Sequence, residues 1–147
     1  MKTIKKTSVR FKLIPPMISV TLLSACATTK GPVFRPELQS GQEAIIYFYR
    51  EYAFAGSVFS AYVSVDGKDI VRLPNEGYFA FKTKPGQINI KSTGGIMERN
   101  LTLNVEPGQS YYVRTGGIMS ENDFILVLMK SEIGKTQIKN NHLQLSE

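Results

Sequence analysis

Two segments of the chain repeat the same strand-and-turn pattern. Residues 84–100 and 106–122 align without a gap and are identical at nine of seventeen positions. The second to fourth residues of each copy are Pro-Gly-Gln, in which the proline presets φ and the glycine accepts the positive φ of a type II turn. Each copy therefore predicts a turn, a strand and a glycine-rich turn that ends the strand. Because a solenoid needs at least three stacked units, we expect two similar hairpin edges within one sandwich.

Alternation of apolar and polar residues predicts further strands. Ile88 and Ile90 alternate with polar residues, as do Leu101, Leu103 and Val105, and a period of two places the apolar set on one face of a half-buried strand. Other segments are rich in Val, Ile, Phe and Tyr, which fit a pleated surface; they are residues 44–49, 58–65, 77–83 and 110–115. The chain is therefore predicted to be all-β.

Three local sequences refine this prediction. Asp66-Gly67 between Val65 and Lys68 predicts a two-residue hairpin, because glycine accepts the positive φ of a type I′ turn. The run Phe124–Met129 is apolar at every position, so we expect a central strand that is covered on both faces. The tail from residue 131 to 147 fits either one more strand around residues 136–139 or a short helix, with a frayed end.

The N-terminal segment has the features of a bacterial lipoprotein signal. Its first twelve residues carry five basic side chains and no acidic one, and residues 13–25 form an apolar stretch that is too short to span a bilayer as a helix. This stretch ends in Leu23-Ser24-Ala25-Cys26, which resembles a lipobox. The segment is therefore predicted to be cleaved before Cys26, whose sulfur then carries the lipid anchor.

Cys26 is the only cysteine of the chain. A secreted domain that relied on disulfides would carry an even number of cysteines, whereas one cysteine is what attachment of a diacylglycerol requires. The alternative is an ordinary signal peptidase site at Ser24-Ala25, which would leave Cys26 as a free thiol or paired with another chain. Ala27, rather than aspartate, follows the cysteine, which predicts the outer membrane of a Gram-negative host, with the domain facing the periplasm.

These features divide the chain into three parts: a signal peptide at residues 1–25, a lipid-anchored flexible tether at 26–42 and a β domain at 43–147. The tether is rich in turn-forming residues and has little apolar periodicity, and a flexible segment of that length spans roughly 20–25 Å. The alternative for its second half is that Val33-Phe34 packs on the domain.

The charge balance argues against a nucleic-acid partner. The chain has 18 basic residues, of which five lie in the predicted signal peptide, so 13 remain against 12 acidic residues and the mature net charge is +1. The remaining charges are scattered singly, whereas nucleic-acid binding requires a clustered basic face.

The residues of common catalytic and metal sites are sparse. His142 is the only histidine and lies in the tail, which argues against a Ser-His-Asp triad and against a metal site of the His/Cys type. Thr93-Gly94-Gly95 and Thr115-Gly116-Gly117 could cradle an anion with backbone N–H groups, but they are better interpreted as turns that end strands. We therefore expect no enzymatic activity, no cofactor and no metal.

A candidate partner surface is formed by aromatic and arginine residues. The segment from Tyr52 to Gly56, which includes Phe54, is apolar for a connection between strands, and such a loop marks a partner surface when it is exposed. Tyr112 and Arg114 are predicted to point to the face opposite Tyr111 and Val113. The alternative is that the loop packs over the end of the sandwich.

Several short motifs, in this order, resemble the pattern of the DUF2846 lipoproteins, small bacterial domains of uncharacterised function. These motifs are Tyr47-Phe48-Tyr49-Arg50, Val63-Ser64-Val65-Asp66-Gly67-Lys68, Gly77-Tyr78-Phe79, Lys84-Pro85-Gly86 and residues 106–114. The resemblance covers about residues 43–130. It implies a single-domain β-sandwich of transthyretin-like or immunoglobulin-like type, and with the strands predicted above we expect about seven or eight strands.

These observations lead to one functional hypothesis and two alternatives. The hypothesis is a binding or structural module of the bacterial envelope, held at the membrane through diacylglyceryl-Cys26, with an envelope protein as candidate partner. The first alternative is a lipoprotein that binds a small ligand or peptidoglycan, which needs a concave pocket with converging polar groups. The second is an envelope hydrolase, against which the lack of titratable clusters argues.

Overall fold

The structure is a computed structural model that describes residues 34–37, 41–53, 60–94, 97–118, 124–140 and 144–145. The predicted lipobox, Cys26 and Phe54 lie outside these residues. The elements are β1 (Ala44–Tyr49), β2 (Ala61–Val65), β3 (Lys68–Leu73), β4 (Gly77–Thr83), β5 (Gly86–Gly94), β6 (Met97–Val105), β7 (Ser110–Ile118), β8 (Phe124–Met129), α1 (Ser131–Asn140) and β9 (Gln144–Leu145). None of the helices in the described part is long and apolar enough to cross a membrane.

The strands form two sheets that pack face to face. Sheet A has the order β8-β7-β1-β4-β9, and sheet B has the order β3-β2-β5-β6. In sheet A, β1 pairs antiparallel with β4 and parallel with β7. Side chains from both sheets share one apolar core, which includes Phe48, Val63, Ile90 and Leu103. This arrangement confirms the predicted single-domain β-sandwich.

Strand β1 is buried along its whole length because both of its faces are covered. Ile46 and Phe48 point into the core between the sheets. Ile45, Tyr47 and Tyr49 point to the opposite face of sheet A, where they form a second apolar cluster with Ile138 of α1 and other residues. The domain therefore has three layers, with α1 on sheet A and sheet A on sheet B.

The two copies of the sequence repeat lie in different sheets. The first copy contains β5, which forms a hairpin with β6 in sheet B, and the second contains β7, which forms a hairpin with β8 in sheet A. Gly108 has a φ of 69°, and the N–H of Gln109 donates to the carbonyl of Glu106 at 3.4 Å, as a type II turn requires. Gly86 has a φ of 139°, so its turn differs in detail. The expectation of two similar hairpins in one sandwich is confirmed.

The hairpin predicted at Asp66-Gly67 is also confirmed. Asp66 has a φ of 48° and Gly67 a φ of 80°, which are the two positive values that a type I′ turn demands. The Asp66 carboxylate accepts a hydrogen bond from the backbone N–H of Asn89 at 2.9 Å, which ties the turn to β5. The tail adopts the helical alternative, as α1, and buries Gly134 and Ile138.

The prediction that residues 124–129 form a central strand is wrong, since β8 is an edge strand of sheet A. Val127 and Leu128 are each 42% exposed. The strand is apolar on both faces because sheet A is covered on both sides. Leu126 packs against the core between the sheets, whereas Met129 packs against the cluster beneath α1.

Residues 34–37, which we call the strap, pack on the outer face of sheet A. Phe34 is only 6% exposed, and its ring meets those of Tyr47 at 5.2 Å and Tyr78 at 5.4 Å, both edge to face. The backbone N–H of Glu37 donates to the Tyr47 hydroxyl at 2.8 Å, and the Glu37 carboxylate pairs with Lys82 at 2.8 Å. The prediction of a flexible tether over residues 26–42 is therefore wrong for the strap, and the alternative of packing holds for Phe34.

Candidate contact site at one end of the sandwich

One end of the sandwich, which we call the loop end, is where β1, β3, β5 and β7 finish and β2, β4, β6 and β8 begin. The pairings of Tyr49 with Tyr78, of Ala61 with Leu73 and of Gly94 with Met97 all lie at this end. The segment from Arg50 to Ala53 leaves β1 here. The candidate residues Tyr52 and Arg114 are both brought to this end of the fold.

A chain of hydrogen bonds joins β1, β7 and α1 at the loop end. The Tyr49 hydroxyl donates to Oε1 of Gln137 at 2.6 Å, and Nε2 of Gln137 donates to Oε2 of Glu51 at 3.3 Å. Nη1 of Arg114 donates to the same Glu51 oxygen at 3.0 Å. The charged pair is largely screened from water, with side chains 23% exposed for Arg114 and 27% for Glu51. We call these four residues the Glu51 network.

The tyrosines near this network are held in their neutral form. Burial raises the pKa of Tyr49 well above its usual value, which outweighs the opposing attraction of Arg114. Burial likewise raises the pKa of Tyr47 and of Tyr78, and that of Tyr112 to about 12. A general acid or base works best with a pKa near the operating pH, whereas these phenols have structural contacts: Tyr49 donates to Gln137, and Tyr47 accepts from the backbone N–H of Glu37.

Arg50 is buried directly after β1, with 1% of its surface exposed. Its backbone N–H donates to the carbonyl of Gly77 at 2.9 Å, and burial lowers the pKa of its guanidinium. Its side chain crosses Gly116, where an added Cβ would lie 2.7 Å from Cδ of Arg50. Gly116 also has a φ of 75°, so the position requires glycine both for space and for backbone conformation.

Strand β5 ends at its glycine pair, as the sequence suggested, whereas β7 does not. Gly94 is the last residue of β5, and Gly116 lies within β7, which continues to Ile118. The pairing of β7 with β8 shifts register between Thr115 and Ile118, which is the signature of a bulge. The absence of a side chain at Gly116 therefore lets the Arg50 side chain pack against the backbone of β7. The prediction that Thr115-Gly116-Gly117 forms a strand-ending turn is wrong.

Tyr52 is the most exposed large apolar side chain of the described residues, at 62%. The next residue, Ala53, is held through its backbone by one side chain. Its N–H donates to Oδ1 of Asn75 at 3.1 Å, and its carbonyl accepts from Nδ2 of Asn75 at 3.3 Å. This clamp joins the segment after β1 to the turn between β3 and β4. Tyr52 thus projects into solvent from backbone that is fixed on its C-terminal side.

The residues of the predicted partner surface differ in how exposed they are. Tyr52 is exposed, and Arg114 is half-buried in the Glu51 network. Tyr112 lies on the outer face of sheet A, as the alternation predicted, but α1 covers that face and leaves it only 3% exposed. Its ring stacks on that of Tyr47 at 5.1 Å. The prediction that Tyr112 belongs to an exposed surface is therefore wrong, and Phe54 lies outside the described residues.

Three residues of the site were missed by the sequence reasoning. Glu51 and Asn75 are single polar residues in connections, and only their contacts give them a role. Gln137 lies in the tail, whose sequence left its structure open. Within the described ranges, no group of three or more His, Cys, Asp and Glu side chains is placed to hold a metal ion.

A scan of protein families finds a match that is described as a protein of unknown function (DUF2846) and covers residues 40–127. The match includes β1 to β7. It also includes the clamp between Ala53 and Asn75, the charged pair Glu51 and Arg114, and the exposed Tyr52. Helix α1, with Gln137, lies beyond it. No curated protein and no solved structure matches the chain.

Proposed function

Because the chain belongs to the DUF2846 family of proteins of unknown function, we propose a function from its own residues. In this proposal, the protein is a lipid-anchored component of the bacterial envelope. Its β-sandwich serves as a binding or structural module without catalysis. Its anchor is diacylglyceryl-Cys26, and its location is the outer membrane, on the periplasmic side.

The observation that carries the binding role is the geometry around Tyr52. A tyrosine that is 62% exposed and next to clamped backbone offers a large contact area with little conformational entropy left to lose on binding. Aromatic side chains of this kind dominate the energy of protein interfaces when a partner buries them. This arrangement supports the proposal of a contact surface at the loop end.

The polar groups around Tyr52 favour contact over chemistry. The Glu51 carboxylate accepts from both Arg114 and Gln137, and Gln137 accepts from Tyr49. These hydrogen bonds engage the charged groups with one another. They hold α1 and the two strands in place, so that the loop end keeps one shape, as a binding module requires.

The anchor is supported by residues of the N-terminal segment. Leu23, Ser24 and Ala25 precede the only cysteine of the chain, behind a basic start and a short apolar stretch. A single acyl chain gives only marginal membrane binding. The proposal therefore includes at least two chains on Cys26, as a diacylglyceryl group provides.

Photo-crosslinking in cells tests the contact surface. A photoreactive phenylalanine analogue replaces Tyr52 in one variant and Tyr62 in a matched control. Tyr62 is also an exposed tyrosine, at 52%, but it lies on the outer face of sheet B, since its neighbours Ala61 and Val63 face the core. We expect a discrete protein adduct in the envelope from position 52 and none from position 62. Equal adducts from both positions, or adducts from position 62 alone, would contradict the proposal.

A further inference from the structure

The strap determines where the N-terminal linker leaves the domain. Phe34 is buried in the same cluster as Ile138 of α1, so the chain that leads back to Cys26 departs from the face that α1 covers. Seven residues separate Cys26 from Phe34. Even when fully extended, this stretch reaches at most about 29 Å.

This reach limits how the domain can sit on a membrane to which Cys26 is attached. The outer face of sheet B lies beyond two layer spacings of about 10 Å each, measured from the helix layer. To bring that face to the membrane, the linker would have to pass around the domain in a nearly extended form, which uses most of its reach and costs conformational entropy. The face formed by α1 and the strap is therefore the one held nearest to the lipid.

The same face carries exposed basic side chains. Lys135 and Lys139 lie one helical turn apart on α1, and Arg35 is exposed on the strap. Lys135 borders a shallow groove between α1 and the strap. Of the two acidic residues that the structure describes on α1 and the strap, Glu37 is paired with Lys82 at 2.8 Å, and Glu132 opposes the three basic side chains. Ile133 adds an apolar side chain that is 44% exposed.

We propose that this face, which we call the α1 face (Arg35, Ile133, Lys135 and Lys139), rests on an anionic lipid surface. The inference rests on the proposed anchor at Cys26. The basic side chains meet the phosphates of the headgroups, and each contributes about fivefold to the contact equilibrium near such a surface. The loop end, with Tyr52, then points along the membrane and stays open to a partner.

Fluorescence quenching on vesicles tests this orientation. The full-length protein is expressed and purified in its processed form, and mass spectrometry of its N-terminal peptide checks the lipid first. Because a lipidated Cys26 has no free thiol, Ile133→Cys, or Tyr62→Cys as the control on sheet B, provides one site for a fluorophore. The protein is placed in vesicles of phosphatidylethanolamine and phosphatidylglycerol that contain a lipid with a quencher on its headgroup. We expect several-fold stronger quenching at position 133 than at position 62.

Charge-reversal variants distinguish a specific contact of the α1 face from a general effect of the net charge of the protein. Lys135→Glu with Lys139→Glu should abolish most of the difference between the two positions. Lys68→Glu with Lys91→Glu, which changes the net charge equally but in sheet B, should leave it intact. Equal quenching at both positions, or a difference that the first pair of changes does not reduce, would overturn the inference.

Two further outcomes tell the proposals apart. An unmodified Cys26 would overturn the anchor, and this inference with it. The lipid contact alone would be overturned if Cys26 is lipidated but position 133 is quenched no more than position 62, and if a photoreactive analogue placed at position 133 crosslinks to a protein in cells.

Discussion

Gly134 of α1 lies directly against the ring of Tyr112, so closely that a Cβ at position 134 would come within 2.7 Å of Cγ of the tyrosine. The helix thus rests on sheet A through a residue without a side chain. Tyr112 in turn stacks on Tyr47 at 5.1 Å. This contact sets the height of α1 above the sheet, and with it the position of Gln137 in the Glu51 network.

We expect Gly134→Ala to destabilise the domain by about 1–3 kcal/mol, because overpacking displaces the helix, although alanine is the better helix former. Gly41→Ala is the matched control, since a Cβ there meets nothing within 4 Å, and it should leave stability nearly unchanged. Denaturant unfolding of both variants measures the difference. Equal midpoints would show that α1 does not depend on this contact.

Stability should fall at alkaline pH because of the tyrosines under α1 and the strap. Burial raises the pKa of Tyr112 to about 12 and also raises those of Tyr47, Tyr49 and Tyr78. Above about pH 10 the unfolded chain loses phenol protons that the folded chain keeps, so unfolding releases protons and stability decreases as the pH rises. The loss is at most about 1.4 kcal/mol per pH unit for each tyrosine.

Tyr112→Phe should therefore flatten the decrease between about pH 10 and 12. Urea unfolding at a series of pH values measures the slope. An unchanged slope in Tyr112→Phe would refute the role of this phenol.

A buried hydroxyl pair links the two sheets. The side-chain oxygens of Ser92 and Thr115 lie 2.6 Å apart, and both residues are fully buried. Ser92→Ala should cost about 1–3 kcal/mol, because it leaves the Thr115 hydroxyl without this partner in the core. The double change with Thr115→Val should cost less than the sum of the single changes, because no hydroxyl is then left unsatisfied. Additive costs in a double-mutant cycle would show that the bond is not coupled.

Sorting provides a test of the predicted location. In enteric-type bacteria, an aspartate directly after the lipidated cysteine favours retention in the inner membrane. Ala27→Asp should therefore move the protein from the outer to the inner membrane fraction of a sucrose gradient, and Ala27→Ser should not. A wild-type protein that fractionates with inner-membrane markers would refute the predicted location.

The strand pattern was largely readable because apolar alternation and turn chemistry are local. The bounds of β1, β4 and β8 and the turn at Asp66-Gly67 agree with the sequence prediction. The edge position of β8 was not readable. An apolar run on both faces shows that the strand is covered on both sides, but it does not show how many neighbours the strand has within its sheet.

The burial of Tyr112 could not be predicted from its own strand. Alternation placed it correctly on the outer face of sheet A, but the covering helix contributes Gly134 and Ile138 as its buried residues. These two residues form too sparse an apolar stripe to predict from the sequence that a helix packs on the sheet. The parallel pairing of β1 with β7 joins residues more than sixty positions apart, and no local signal specifies it. The Glu51 network depends on both features, so it emerges only from the fold.

The most direct test of the account is the mass of the N-terminal peptide of the processed protein, Cys26 to Lys30, after purification from membranes and digestion with trypsin. We expect this peptide to begin at Cys26 and to carry a diacylglyceryl group, and we expect Cys26→Ala to abolish both cleavage and partitioning into detergent. A processed wild-type protein whose Cys26 is an unmodified thiol would contradict the account.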